Sequence, residues 1–265
     1  MRATWSGMIS FGLVNIPVKV FAAARDEDIS FHQMHREDSG RVRYEKVCKV
    51  CGNALGKDDI VKGYEYKKGQ YVIITDEDLD KINLPTTKTI SIANFVDESE
   101  IDALQFERSF YVGPDENGER AYALLREALS RTNKVGIGKI ALHSREQLAA
   151  VRVDNNALVL ETLHWADEMI KTDDLGLPAA DIQIAENELD LAQVLIQHMT
   201  APLDLTAYQD DYREALKDLI HKKIEGQEVT APPEQQPTNV IDIMSALKAS
   251  LAAAETEPDG KRKTA

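Results

Sequence analysis

Short apolar runs broken by polar and turn-forming residues occupy the first 165 residues of the chain. Glycine, proline, asparagine and aspartate separate these runs at Gly69, Gly113–Pro114, Asn117–Gly118 and Asp154–Asn156. Many short, closely spaced runs of this kind predict an all-strand barrel or sandwich. The predicted strands are residues 8–14, 18–21, 71–75, 89–96, 106–112, 137–142, 148–153 and 157–163, with residues 15–17 as the first turn.

Two helices are predicted among these strands, a short one after Thr75 and a longer one over residues 119–132. From about residue 180 the apolar spacing becomes helical and predicts helices over 186–199 and 206–225. The second of these begins at a candidate capping box, with Thr206 followed three residues later by Gln209. The fold class expected is therefore α+β, mainly β, with a helical C-terminal region.

The end of the chain differs in composition from the rest. Residues 226–239 are polar, contain three prolines and predict a flexible linker. Residues 240–251 carry one apolar seam at helical spacing, and residues 252–265 are expected to be disordered. A three-turn helix behind a linker is marginal by itself, so it either docks into a partner's groove or folds back on its own domain. The seam consists of Val240, Met244, Leu247 and Leu251.

The charge is distributed unevenly along the chain. The formal net charge is −14, yet basic residues gather in two blocks, residues 36–68 with 9 Lys/Arg and 121–145 with 5. A polyanion would therefore meet local basic patches rather than the net charge. No apolar run is long enough to span a membrane, and the N-terminus lacks a signal-peptide pattern. We expect a cytoplasmic protein with no membrane partner.

The only two cysteines, Cys48 and Cys51, are separated by two residues and followed by Gly52. This spacing is typical of one knuckle of a zinc ribbon, in which two thiolates face one metal. His32 and His35 could complete a site within one chain, or a second chain could supply two more cysteines. Free thiols in a hairpin are an equally weighted interpretation, and a redox pair is the weakest one. No cofactor is required by any other feature.

No strong catalytic signature is present. Gly136–Lys139 lacks the glycine and hydroxyl positions of a phosphate-binding loop, and His143, Ser144 and His164 have no evident catalytic partners. Two alternatives to a binding protein for nucleic acid stay open at this point. One is a zinc-ribbon transcription or adaptor factor, and the other is a hydrolase that uses His143, Ser144 or His164.

Several long segments together resemble the prokaryotic Ku proteins. The segments are WSGMISFGLVNIPV at 5–18, GYEY at 63–66, TDEDL at 75–79, FER at 106–108, YVGP at 111–114, VGIGKIALHSRE at 135–146 and LETLHW at 160–165. The resemblance covers most of residues 1–225, and residues 240–251 also resemble a segment common in the family. Unlike some relatives, this chain ends with only a small basic cluster, Lys261, Arg262 and Lys263.

This resemblance implies a Ku-type β-barrel core with helical additions, assembled as a homodimeric ring that threads a broken end of double-stranded DNA. It implies no enzymatic activity, a role in non-homologous end joining and recruitment of DNA ligase D. The expected organisation is a core over 1–185, its helical C-terminal part over 186–225, a linker over 226–239, a partner-binding helix over 240–251 and a tail over 252–265. The cytoplasmic location would then be nucleoid-associated.

A ring that accepts any DNA end should contact phosphates and sugars rather than base edges. The DNA-contact candidates are therefore basic residues of the two blocks, with the first block crossing over the duplex. Residues 41–47 are expected to form a strand, on which Arg41 and Arg43 face one side. The helix over 240–251 is the predicted ligase-docking element, with 206–225 as its rival. The candidates are Arg36, Arg41, Arg43, Lys46, Lys57 and Lys62 in the first block and Arg131, Lys134, Lys139 and Arg145 in the second.

Overall fold

The structure is a computed structural model that describes residues 1–25, 27–82, 88–142, 145–172, 175–179, 181–227 and 243–256. The chain forms two compact units, Met1–Lys171 and Thr172–Ala265. Among the described residues, no helix is both long and apolar enough to cross a membrane. The predicted linker over 226–239 and tail over 252–265 fall largely outside the described residues.

Among the described residues, the first unit contains all the strands and two α-helices. The elements in chain order are β1 Trp5–Phe11, β2 Val14–Ala22, β3 Lys62–Lys67, β4 Gln70–Ile74, α1 Asp76–Asp80, β5 Thr89–Asp97, β6 Phe106–Pro114, α2 Glu119–Thr132, β7 Lys134–Leu142, β8 Arg145–Asp154 and β9 Ala157–Leu163. The second unit contains α3 Glu186–Met199, α4 Asp211–Ile224 and α5 Ile243–Thr256.

Seven of the nine strands close into a barrel in the order β1-β2-β6-β9-β8-β7-β5. All neighbouring pairs are antiparallel except β1 and β5, which pair in parallel and close the barrel. β3 and β4 form a separate two-stranded hairpin. The mainly-β class with helical additions is confirmed.

Side chains from the inner faces of these strands form the barrel core. Ile9, Val18, Ile90 and Leu158 have no exposed surface, and α2 packs Tyr122, Leu125 and Leu129 against them. At about 1.5–3 kcal/mol for each fully buried large aliphatic side chain, this burial is the main stabilising contribution to the barrel. α2 begins after the end of β6 and finishes before the start of β7, so it covers one end of the barrel.

The structure corrects three sequence-based assignments in the first unit. The first turn lies at Gly12, which has a φ of 58°, and β2 runs through Pro17. The Pro17 carbonyl accepts a hydrogen bond from the Asp115 N–H at 2.9 Å, so Pro17 faces β6, which pairs with β2 only from Val18 onward. The missing proline N–H therefore costs no ladder hydrogen bond.

The other two corrections concern the arm region between β2 and β5. Residues 41–47 do not form the expected strand, because Arg41 makes only an isolated bridge to Met34. In contrast, β3 was not predicted as a strand, and all six of its residues are exposed. Its pairing partner, β4, has the predicted length but lies one residue earlier than the predicted range of 71–75.

The helix predicted over 206–225 also begins later than expected. Residues Leu205–Ala207 form a short 3-10 turn, and α4 starts at Asp211. The Asp210 carboxylate caps it by accepting the Arg213 N–H at 2.9 Å. Asp204, not Gln209, bonds Thr206, through both the Thr206 N–H and the Thr206 hydroxyl. A carboxylate cap at Asp210 therefore replaces the predicted capping box.

Candidate nucleic-acid interface

Residues 23–88, here called the arm, leave the barrel after β2 and return to it at β5. β2 and β5 both flank β1, and Trp5 pairs with Val20 while Met8 pairs with Thr89. The two ends of the arm thus leave from the same end of the barrel. They are two strand spacings apart, or about 10 Å. We call this the arm end and the opposite one, covered by α2, the helix end.

The arm does not pack into the barrel core. None of its described residues is buried, and only five of them are even half-buried. It nevertheless carries large apolar side chains, with Phe31 68%, Tyr44 77% and Tyr64 66% exposed. A single chain leaves this apolar surface open to water, which is typical of a surface that binds a macromolecular partner. The hairpin β3–β4 and helix α1 belong to the arm.

All six first-block candidates lie on the arm with exposed side chains. Two of them form surface ion pairs: Arg43 with Glu45 at 3.5 Å and Lys62 with Asp76 at 3.0 Å. The remaining four make no ion pair with any described residue. Because surface pairs are worth at most about 1 kcal/mol, none of these cations is held away from an incoming phosphate. The four are Arg36, Arg41, Lys46 and Lys57.

The second-block candidates do not share one surface. Lys134 pairs with Asp97 where β5 ends, and Arg131 lies in the last turn of α2, so both are at the helix end. Arg145 pairs with Leu142 at the arm end. Lys139 lies between, on the outer face of β7. The basic block of the sequence is therefore divided between the two ends of the barrel.

Ion pairing also distinguishes these residues. Arg131 contacts Glu127 at 2.8 Å and Lys134 contacts Asp97 at 2.8 Å. Lys139 contacts Glu146 at 3.0 Å and lies 5.4 Å from the centre of the Trp165 ring. The two helix-end cations thus have carboxylate partners and lie far from the arm. Arg145 is exposed and is the one second-block candidate at the end of the barrel from which the arm leaves.

Two further exposed cations on the arm, Lys67 and Lys68, were not named from the sequence. They stand at the tight turn of the β3–β4 hairpin, where Gly69 has a φ of 77°. Their presence in the first basic block was the available signal. The sequence predicts a turn at Gly69 but not the β3 strand before it, so it does not show that this turn closes a hairpin that carries both lysines.

Cys48 and Cys51 occupy the tip of a narrow hairpin over residues 46–55. The Leu55 N–H donates to Lys46 O at 2.7 Å, Cys48 N–H to Asn53 O at 2.9 Å and Gly52 N–H to Cys48 O at 2.9 Å. Gly52 takes a left-handed φ of 72°. Backbone N–H groups of Cys51 and then Val50 face the Cys48 sulfur, and these bonds lower the pKa of the Cys48 thiol. Both thiols are free.

The two predicted histidine ligands do not join these thiols. No cluster of three or more His, Cys, Asp or Glu side chains with metal-binding geometry occurs in the described part of the chain. His35 Nδ1 instead lies 2.9 Å from the Asp38 carboxylate, and His32 lines a cleft of about 400 Å³ with Phe31 and Arg41. Among the described residues, the two thiols therefore lie together without the predicted histidines.

The described residues that were considered for catalysis lie in a surface ion pair and in a strand. His164 lies 3.6 Å from Glu168 on the surface. Gly138 stands where β5 and β7 approach so closely that a Cβ would collide with the Ser91 carbonyl, so Gly136–Lys139 is a strand and not a phosphate loop. His143 and Ser144 lie outside the described residues.

The second unit carries the predicted partner-binding helix. α5 begins at Ile243 and packs on α3, with Met244, Leu247 and Leu251 half-buried. Val240 lies outside the described residues. α3 and α4 contain no fully buried residue. Large apolar side chains such as Tyr212, 77% exposed, and Ile196, 65% exposed, face solvent, which leaves apolar surface on both helices.

Comparison with known proteins identifies a class that matches this barrel and its inserted arm. Residues 10–191 match the Ku70/Ku80 beta-barrel domain. A protein of Archaeoglobus fulgidus named non-homologous end joining protein Ku is 46% identical to the chain, over 96% of this chain and 99% of the relative. Proteins of the same name from Bacillus subtilis and Solibacter usitatus are 44% and 43% identical, over 95% and 98% of this chain and 82% and 98% of the relatives. The chain belongs to the Ku family.

Proposed function

We propose that this chain is a homodimeric, sequence-independent binder of double-stranded DNA ends that acts in non-homologous end joining. The observation that carries the proposal is the arm, which leaves the barrel with its cations exposed and its apolar side chains uncovered. The names of the relatives supply the pathway. A protein with this role works by binding and not by catalysis, and it would be a cytoplasmic, nucleoid-associated protein.

The chemistry of the arm suits phosphate contacts rather than base reading. Its cations lie on irregular segments and a hairpin, not on a helix shaped for the major groove. Contacts to phosphate and sugar carry no sequence information, so any broken end can be accepted. A net charge of −14 on the whole chain would repel DNA from the other surfaces and favour binding through the arm.

Dimerisation is the most economical way to cover the exposed apolar side chains of the arm. Two arms related by a twofold axis can bury exposed aromatic side chains, such as those of Phe31 and Tyr64, against each other. Together with the two barrels they would enclose a duplex. An enclosed duplex can enter only through a free end, which gives end specificity without any contact to the terminal base pair.

Competition binding tests this proposal. A labelled linear duplex bound by the purified full-length chain is challenged with equal masses of unlabelled linear or covalently closed circular DNA at near-physiological salt. Encirclement requires that only the linear competitor displaces the label. Equal displacement by both competitors would show ordinary surface binding and would overturn the proposal.

A pair of charge-matched variants tests the role of the arm. Arg36→Ala with Lys57→Ala removes two exposed arm cations, whereas Arg131→Ala with Lys134→Ala removes two ion-paired cations at the helix end. Because the proposed homodimer carries two arms, the first variant removes four cations from each bound dimer. If each of them contacts one phosphate, the magnitude of the slope of log Kobs against log salt falls by about 3.6. The control variant should leave the slope unchanged. Equal effects would mean that the arm is not the main DNA-binding surface.

We propose further that the second unit recruits DNA ligase D. The uncovered apolar side chains on α3 and α4, and the seam of α5, support a protein-binding role for this unit. Replacing Met244 and Leu247 by Asp should abolish stimulation of the ligase in an end-joining assay while DNA-end binding persists. Lys248→Glu, on the exposed side of α5, is the control. Loss of both properties would make α5 part of the core, consistent with its packing on α3.

A further inference from the structure

Helix α5 packs on α3 through the same side chains that are predicted to bind a partner. Three residues of its apolar seam are described, Met244, Leu247 and Leu251, and all three are half-buried. α3 is the described element that α5 contacts most. A helix whose apolar stripe is covered within its own chain cannot present that stripe to another protein at the same time.

The side of α5 that faces solvent offers no alternative anchor for a partner. Amphipathic helices dock in grooves through large apolar side chains spaced three and four residues apart. The described side chains that α5 exposes are all small or polar, namely Ser245, Lys248, Ala249 and Ser250. A protein that uses this part of α5 as a docking helix must therefore engage the seam itself.

α3 provides a matching stripe for the seam. Its half-buried residues recur three, four and seven positions apart, which places them on one face of the helix. Leu189 and Val194 lie outside this face and are 43% and 40% exposed. Because α5 is the described element that packs most on α3, the half-buried stripe is the face that α5 covers. The stripe consists of Glu188, Leu191, Ala192 and Leu195.

We infer that α3 and DNA ligase D compete for the seam of α5. The second unit then has a closed state, with α5 on α3 as in this structure, and an open state in which the seam is available to the ligase. This inference rests on the ligase recruitment in the proposed function. Because the ligase binds only the open state, its apparent affinity is reduced by the fraction of chains that are open.

The contact between α3 and α5 is of a kind that can open. α3 contains no fully buried residue, and neither does the part of α5 whose burial is described. Segments with few buried apolar contacts open locally at a small fraction of the cost of global unfolding. A released helix of this length is marginal in water, so it is stabilised again only by returning to α3 or by entering the groove of a partner.

Substitutions on the two sides of this contact should have opposite effects on ligase binding. Leu191→Ala with Leu195→Ala removes the α3 side of the contact and favours the α3 helix, because alanine has the highest helix propensity. If about 0.1–10% of the unmodified chains are open, this full-length variant should bind purified DNA ligase D at least about 10-fold more tightly in titration calorimetry. Met244→Asp with Leu247→Asp should instead abolish binding.

Hydrogen exchange of the α5 amides reports release of the helix without the ligase. Exchange should be faster than in the unmodified chain in both variants, since each removes one side of the same contact. The control is Leu189→Ala with Val194→Ala, which truncates two exposed side chains of α3. It should neither speed exchange in α5 nor tighten ligase binding.

Two results with the α3 variant would overturn the inference alone. Faster exchange in α5 without tighter ligase binding would mean that α3 does not compete with the ligase. Unchanged exchange would mean that this face of α3 does not hold α5. A ligase that binds the Met244→Asp with Leu247→Asp variant normally, or binds no form of the chain, is a different result. It would remove the docking role proposed for α5 and this inference with it.

Discussion

The hydroxyl of Tyr122 links α2, the helix that covers the helix end of the barrel, to two barrel strands. It donates to the Val112 carbonyl at 2.7 Å and accepts the Leu158 N–H at 2.9 Å. Val112 and Leu158 are register partners on β6 and β9, and both are buried, at 2% and 0% exposure. Tyr122 thus inserts into the last step of this ladder, where it satisfies one buried donor and one buried acceptor.

Replacing Tyr122 by Phe removes these two hydrogen bonds but keeps the ring and its packing. Each buried backbone group left without a partner costs about 1–3 kcal/mol. For these two groups we therefore expect the free energy of unfolding to fall by about 2–6 kcal/mol, a large part of the total stability of a typical domain. The m-value should not change, because the surface exposed on unfolding is the same.

Urea unfolding followed by tryptophan fluorescence is the appropriate measurement. Both tryptophans, Trp5 and Trp165, belong to the first unit, so the signal reports on the barrel. Protein concentration is held fixed because subunit association would otherwise alter the apparent stability. Tyr111→Phe is the control, since Tyr111 is 42% exposed and its hydroxyl has no hydrogen-bond partner among the described residues. If Tyr122→Phe costs no more than this control, β6 and β9 pair directly without the hydroxyl and the reasoning is wrong.

Three further predictions concern the barrel. Glu161, 6% exposed, accepts two hydrogen bonds from Arg152 at 2.9 and 3.0 Å, so Glu161→Ala should cost about 2–3 kcal/mol in urea unfolding, and a loss below about 1 kcal/mol would contradict the pairing. The hydrogen bond from Lys19 lowers the pKa of Asp115 below its ordinary value of 3.8. The stabilisation that this bond gives the folded state is present above that value and is lost as the pH falls through the lowered pKa. Lys19→Met should therefore flatten the dependence of the free energy of unfolding on pH below about pH 4, and an unchanged dependence there would refute this. Replacing residues 25–86 by a short Gly/Ser linker should leave a barrel that unfolds cooperatively but no longer binds DNA ends, because the two ends of the arm are close together; failure of the barrel to fold would show that the arm belongs to the core.

The barrel strands were largely predictable because each one contrasts with its neighbours in the sequence. Strands such as β5 and β9 are runs of β-branched and aliphatic residues bounded by turn residues, and their burial follows that pattern. β3 has no such contrast, because all its side chains are exposed and its sequence therefore shows no hydrophobic alternation. Pro17 is the reason that residues 15–17 were predicted as a turn. A proline can nevertheless lie in a strand at a position where no neighbouring strand needs its N–H group.

The division of the basic residues between two ends of the barrel could not be predicted. Lys134 and Arg145 are close in sequence, yet β7 carries the chain from one end of the barrel to the other between them. Their placement relative to the arm depends on the parallel pairing of β1 with β5, which joins residues about eighty positions apart. Local patterns contain no information on such long-range register, so the sequence indicated the residue types but not the surface that they form.

The parallel pairing of β1 with β5 also constrains the order in which the protein can fold during synthesis. The ring of strands is complete only when β9, ending at Leu163, has been made and has paired with both β6 and β8. At about 5–20 residues per second, the β1–β2 hairpin waits on the order of ten seconds with unpaired edges. A longer arm prolongs this wait in proportion to its length. It changes the free energy of unfolding little, because doubling the length of a flexible loop adds only about 0.6 kcal/mol to the entropic cost of closing it. The arm can therefore lengthen or shorten during evolution at little thermodynamic cost, while longer arms prolong the time for which the nascent chain is open to misassociation.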